Sequence, residues 1–220
     1  MFKGHCFPKA IILQAVYFKL RFSLSYRDVE ELLSIRGIKV DNATIQRWVF
    51  KFTPLVEQQF RKRKKSVGKR WRMDETYIKV KGHWRYLYIA VDIQGNTVDF
   101  LLTKRRQRLS AHRFLIKAIQ NNGRPELINI DKSGANTSAI KVYNRRNFSK
   151  IKIRQCKYLN NIVEQDHRMI KWRIVQGLGF KEFESAKRTI AGVELVRMLK
   201  KNQLFNPKSS TYKSFISLVA

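Results

Sequence analysis

Hydrophobic and polar positions along this chain change their period near residue 70. Before it, apolar residues recur every three or four positions, the spacing of one helical face. Residues 9 to 22 after Pro8 predict an apolar helix. Ser25-Tyr-Arg-Asp28 has the hydroxyl and the acid, three positions apart, of a helix start. Val29, Leu32 and Leu33 carry that helix to Gly37. Ile45, Trp48, Val49 and Phe52 form the stripe of a third, Asn42 to Phe52, and Thr53-Pro54 predicts the restart of another. The pattern then alternates. Trp71 to Gly82, Trp84 to Asp92 and Thr97 to Leu102 are rich in aromatic and β-branched residues, and turn residues separate them. Three strands joined by short turns predict an antiparallel meander.

Beyond the meander the order becomes mixed. A helix is predicted from Ser110 to Asn121 with Phe114, Leu115 and Ala118 inward, broken by Gly123-Arg-Pro125. Glu126 to Ile130 predicts a short buried strand that ends at Asp131. A helix of roughly Ala135 to Arg145, a strand from Lys150 to Arg154 and a helix over Tyr158 to Lys171 follow, the last with Val163, Ile170 and Ile174 inward. Three antiparallel strands, helix, strand, helix, strand, helix is a ribonuclease-H-like order. The class is therefore α/β, with that core preceded by an all-α helix-turn-helix domain. The predicted boundaries are residues 1–60 for the helical domain, 61–70 for a basic linker, 71–205 for the core and 206–220 for a C-terminal tail.

Charge changes the picture most. Forty-six Lys and Arg against 16 Asp and Glu give a formal +30 over 220 residues, spread along the whole length. A chain that is 44% hydrophobic, with 14 Phe and 4 Trp, can still fill a core. A folded domain this basic calls for a polyanion, most simply nucleic acid. Cys6 and Cys156 are too far apart for a zinc knuckle or a disulfide framework, and His5-Cys6 lacks further ligands. The apolar run from Ala10 to Phe18 is too short to span a bilayer. These features predict a cytoplasmic protein acting on nucleic acid without a membrane partner.

Two sets of residues carry candidate chemistry. In the helix-turn-helix, Asn42, Thr44, Gln46, Arg47 and Lys51 are of types that read base edges or hold phosphates; an ordinary three-helix bundle with a solvated face fits the same spacing. In the core, Asp74 lies inside a strand, where a charge is costly without a partner or a task. Asp131 ends a strand, where functional side chains collect in α/β sheets. Glu164, Arg168 and Lys171 stand at i, i+4 and i+7 on one helical stripe. Three convergent carboxylates suit hard cations, Mg²⁺ or Mn²⁺, and two such ions can clamp an in-line phosphoryl displacement. Alternatives stay open at this level. Asp74 could pair with an arginine, Asp131 could cap the next helix, Glu164 could pair with Arg168, and Asp166 and His167 rival Glu164 as third acid and as base. Strand alternation sends Glu75 to the face opposite Asp74, away from any shared site. Asp92 and Asp99 are expected to shape the turn between them.

The segments SLSYRDVEELLSIRGIKVDNATIQRWV, WRMDETYIKVKGHWRYLYIAVDIQGNTVDFLL, INIDKSGA and KYLNNIVEQDHRMIK resemble the DDE transposases of bacterial insertion sequences, and most nearly the insertion-sequence-six family. The resemblance covers roughly Phe7 to Asn202. It implies a retroviral-integrase-like core whose acids are Asp74, Asp131 and Glu164, with Lys171 as the basic residue seven positions on. It also implies Mg²⁺-dependent joining of 3′-OH ends to target DNA, with terminal inverted repeats and target DNA as partners and a homo-dimer or higher oligomer. A catalytically inactive helix-turn-helix remnant or repressor, or a nuclease of the same fold, would share much of this pattern. Asp131 and Glu164 stand slightly closer than is usual in the family, and the shortening falls between Asn144 and Ile151.

Overall fold

The computed structural model describes residues 6–132, 134–176 and 180–219; His5 and Ser133 lie outside them. Two compact units divide the chain: Met1–Lys65 with Arg173–Ala220, and Ser66–Trp172.

The first unit is helical. It holds α1 (Lys9–Arg21), α2 (Tyr26–Ser34), α3 (Asn42–Lys62), α7 (Phe183–Lys200) and α8 (Thr211–Ser217). Ser25 caps α2 as its sequence predicts: its hydroxyl accepts from the Asp28 N–H, and the Asp28 carboxylate accepts from the Ser25 N–H. Gly37 ends the turn after α2 at φ +73°, in the left-handed region that glycine enters without a Cβ clash. The predicted stripe of α3, Ile45, Trp48, Val49 and Phe52, is buried, and Val56 and Phe60 extend it along the helix.

One feature of this unit differs from expectation. Pro54 does not restart a helix; α3 runs through it from Asn42 to Lys62. Proline has no N–H to give the carbonyl four residues back, which here is that of Phe50. Arg188 of α7 donates to that oxygen at 2.9 Å and stacks its guanidinium 4.2 Å from the Phe50 ring. The missing bond is thus replaced from another helix. Helix α7 is buried on more than one side. Its buried residues, among them Ile190, Gly192, Leu195 and Met198, go round the helix, because α1, α3 and α8 all pack on it.

The second unit is a five-stranded sheet in the order β3-β2-β1-β4-β5. The strands are β1 (Arg70–Val80), β2 (His83–Asp92), β3 (Thr97–Thr103), β4 (Leu127–Ile130) and β5 (Lys152–Gln155). β1, β2 and β3 pair antiparallel, and β4 and β5 join β1 in parallel. Helices α4 (Arg108–Asn122) and α5 (Gly134–Arg146) connect the later strands, and a 3-10 turn, Lys157–Asn160, leads into α6 (Asn161–Gln176). This is the predicted ribonuclease-H-like topology. Trp71, Met73, Tyr88 and Ala90 pack with Phe114, Leu115, Ala139 and Ile140 in one core cluster. Asp92 shapes the β2–β3 turn, accepting from the backbones of Gln94 and Asn96 and from Gly68 before β1. Asp99 does something else. It is buried on β3, where Lys117 of α4 meets it at 3.0 Å and Asn121 at 2.7 Å.

Candidate active site

The sheet register brings the first two acids together. β1 and β4 pair only over Arg70–Arg72 with Leu127–Asn129. Beyond Arg72 that edge of β1 makes no strand pairing among the described residues, and Asp131 follows directly on the end of β4. Oxygens of Asp74, Glu75 and Asp131 all lie within 4.8 Å of one another. The expectation for Glu75 is therefore corrected. Its Cβ does leave on the face opposite Asp74, paired with Tyr88 across the β1–β2 ladder. At an open edge, however, a side chain with three rotatable bonds can curl round the backbone. The alternation rule fixes where a Cβ points, not where a long side chain ends.

Asp74 is half-buried, and the pKa of its carboxyl is pushed up to about 7. Burial is the main cause; the charges of Glu75, Asp131 and Glu164 add to it, against a backbone hydrogen bond that lowers it. Among the described residues no arginine pairs with Asp74. Beside it stands His167, whose Nδ1 is 3.7 Å from Asp74 Oδ2 and whose side chain is buried. Glu164, in the first turn of α6, reaches Asp74 by charge but lies outside the close group. It is half-buried and makes no ion pair with Arg168; Arg168 and Lys171 are exposed on the same helix. Asp166 is buried.

Three neighbours that sequence reasoning missed hold this arrangement. Asn129 on β4 donates to the Cys156 carbonyl at 3.0 Å and to Asn160 Oδ1 at 2.8 Å, tying the 3-10 turn before α6 to the strand that ends at Asp131. Its signal in sequence was only a polar residue in a buried strand. Glu75 is held by Arg106, whose Nε donates at 2.8 Å and whose Nη2 stands at 2.5 Å from Glu75 Oε1, and by Asn136 of α5, which donates to Oε2 at 2.8 Å. Burial works against the Arg106 charge, and the Glu75 carboxylate outweighs it and raises the guanidinium pKa.

The donor set is all oxygen, which suits a hard divalent cation. Two oxygens across one Mg²⁺ stand about 4.2 Å apart, since each bond is about 2.1 Å; a cluster within 4.8 Å has that scale. Both Glu75 oxygens accept hydrogen bonds, so that carboxylate is engaged by Arg106 and Asn136.

In the helical unit the candidate DNA contacts divide. Asn42 donates to Glu30 Oε2 at 2.7 Å, and Thr44 is bound through both its N–H and its hydroxyl to Asp41, the N-cap of α3. Gln46, Arg47 and Lys51 are exposed on α3.

Much of this chain is similar to known proteins. A family model described as a DDE domain matches residues 68–203. The transposase for insertion sequence-like element IS431mec of Staphylococcus aureus is 39% identical over 208 residues, covering 92% of this chain and 90% of its own. The transposase for insertion sequence element IS257 in transposon Tn4003, also from Staphylococcus aureus, matches to the same extent. Among solved structures, the HTLV-2 integrase catalytic core domain in complex with magnesium is similar at a TM-score of 0.48 and 19% identity, covering 68% of this chain and 97% of that one. The DDE-domain match over most of the chain, with these relatives, places it among the polynucleotidyl transferases. The chain belongs to the DDE transposases of the insertion-sequence-six family.

Proposed function

We propose that this chain binds the terminal inverted repeats of an insertion sequence and joins their 3′-OH ends to target DNA. The observation that carries the proposal is the meeting of Asp74 and Asp131 at the open edge of β1, within the charge field of Glu164. In the joining step the 3′ oxygen forms a new bond to a target phosphorus, and the target's own 3′ oxygen leaves. Two bound Mg²⁺ or Mn²⁺ ions would activate the first oxygen and stabilise the second. Asp74, Asp131 and Glu164 would hold those ions. Arg168 and Lys171, exposed on the Glu164 helix, steady the DNA backbone. Gln46, Arg47 and Lys51 contact the repeats, with Asn42 and Thr44 shaping the start of the reading helix. Residues 1–60 serve end binding, and the chain works as a homo-dimer or larger assembly because two ends must be held together. The setting is the bacterial cytoplasm, at the nucleoid.

The test is strand transfer of a labelled element-end duplex into plasmid, with Mg²⁺ or with EDTA, for wild type, Asp74→Asn and Glu164→Gln. Joined product that requires metal and disappears in both variants is the expected result. End binding without joining, unchanged by either substitution, would instead identify a DNA-binding remnant. Cleaved but unjoined product would identify a nuclease.

A further inference from the structure

We infer that Arg106 is a phosphate-binding residue of the joining reaction, aimed by Glu75 into the space beside Asp74 and Asp131. The inference rests on the site proposed above. Arg106 lies between β3 and α4, and its side chain is 41% exposed while that of Glu75 is 3% exposed. One edge of the guanidinium, Nε with Nη2, meets Glu75 Oε1, and Nη1 stands 3.4 Å from the Tyr77 hydroxyl. A guanidinium carries five N–H donors in a planar fork. These contacts leave a donor on each terminal nitrogen, and the charge of Asp131 acts on the guanidinium.

The loop that presents Arg106 is pinned from three sides. The Lys104 carbonyl accepts from Arg85, and the Arg105 carbonyl accepts from both Thr103 and Ser110 hydroxyls. Asn136 holds the second oxygen of Glu75, so the buried carboxylate links β1, this loop and α5. A buried ion pair is weak evidence for stability, because desolvation offsets most of its attraction. Fixing a half-exposed cation in one direction is a better account of it. A phosphodiester approaching Asp74, Asp131 and Glu164 meets three like charges. A planar donor held at their edge offsets that repulsion and orients the phosphate before reaction. Glu75 acts through Arg106 and is a positioning residue.

The charge arithmetic gives a signature that a purely structural pair lacks. Glu75 and Arg106 cancel beside the carboxylates. Removing the cation leaves an extra anion there, and removing the anion leaves an extra cation. Arg106→Gln should therefore tighten Mn²⁺ binding measured without DNA, and Glu75→Gln should weaken it. Joining falls in both, by about a hundredfold for Arg106→Gln if it loses one preorganised donor group. The contact itself is read with end and target duplexes bearing single neutral methylphosphonates. Wild type should lose joining at one phosphate that Arg106→Gln no longer senses. Arg106→Lys, which keeps the charge and guards against misfolding, should retain wild-type Mn²⁺ affinity but still join poorly, since one ammonium cannot fork between Glu75 and a phosphate. Shifts of Mn²⁺ affinity in the same direction for both Gln variants, or unchanged methylphosphonate sensitivity in Arg106→Gln, would overturn the inference. Asp74→Asn run in parallel separates the two failures: if it still joins, the site reading itself falls.

Discussion

Replacing Asp74 by Asn should make the metal-free protein more stable, although it should abolish joining. In the folded chain the Asp74 carboxyl titrates at about 7, against an ordinary value of 3.8. The folded state thus holds this proton more tightly than the unfolded state. Stability then falls as pH rises from about 4 to about 7, and the full penalty stands above 7. At about 1.4 kcal/mol per pH unit, the displacement corresponds to at most about 4 kcal/mol, and screening by water at this half-buried site leaves roughly 2 kcal/mol. Asparagine has nearly the same shape and no charge. Urea denaturation in EDTA at pH 5, 6, 7 and 8 should show a gain for Asp74→Asn that grows with pH and levels off above 7. Added Mg²⁺ should stabilise wild type at pH 8 and leave the variant nearly unmoved, because cation binding offsets the repulsion among Asp74, Asp131 and Glu164. A variant less stable than wild type at pH 8, or a gain independent of pH, would refute the electrostatic account of this site.

Other substitutions test the supports. Asn129→Ala removes the two hydrogen bonds that tie the turn before α6 to β4; it should cost about 2 kcal/mol and lower joining, and unchanged values for both would remove Asn129 from the architecture of the site. Gly192→Ala puts a Cβ 2.4 and 2.7 Å from the Leu20 methyls and 2.9 Å from Thr53 Cγ2. Overpacking of about 1–3 kcal/mol should outweigh the roughly 1 kcal/mol that alanine gains in a helix, so thermal unfolding moves to lower temperature. Arg188→Ala leaves the Phe50 carbonyl without its replacement donor and should cost about 1–3 kcal/mol; amide hydrogen exchange should rise first in α3 around Pro54, and uniform exchange would speak against this account.

Much of this protein is written in local pattern. The Ser25–Asp28 capping box, the stripe from Ile45 to Phe52 and the alternating meander each depend on residues within a few positions, so neighbours in sequence determined them. Asp131 could be read as a strand-end acid for the same reason, and the mixed order of strands and helices implied the sheet topology. Tertiary structure decided the rest. α3 continues through Pro54 because a donor arrives from Arg188, 138 residues beyond the carbonyl it serves. α7 shows no stripe because three helices bury it from different sides. Glu75 enters the acidic group where the pairing of β1 with β4 ends at Arg72 and Asp131 follows β4. Periodicity sets the direction of a Cβ, but what a long or charged side chain meets depends on which distant segments fold against it, and only the assembled structure brings those segments into place.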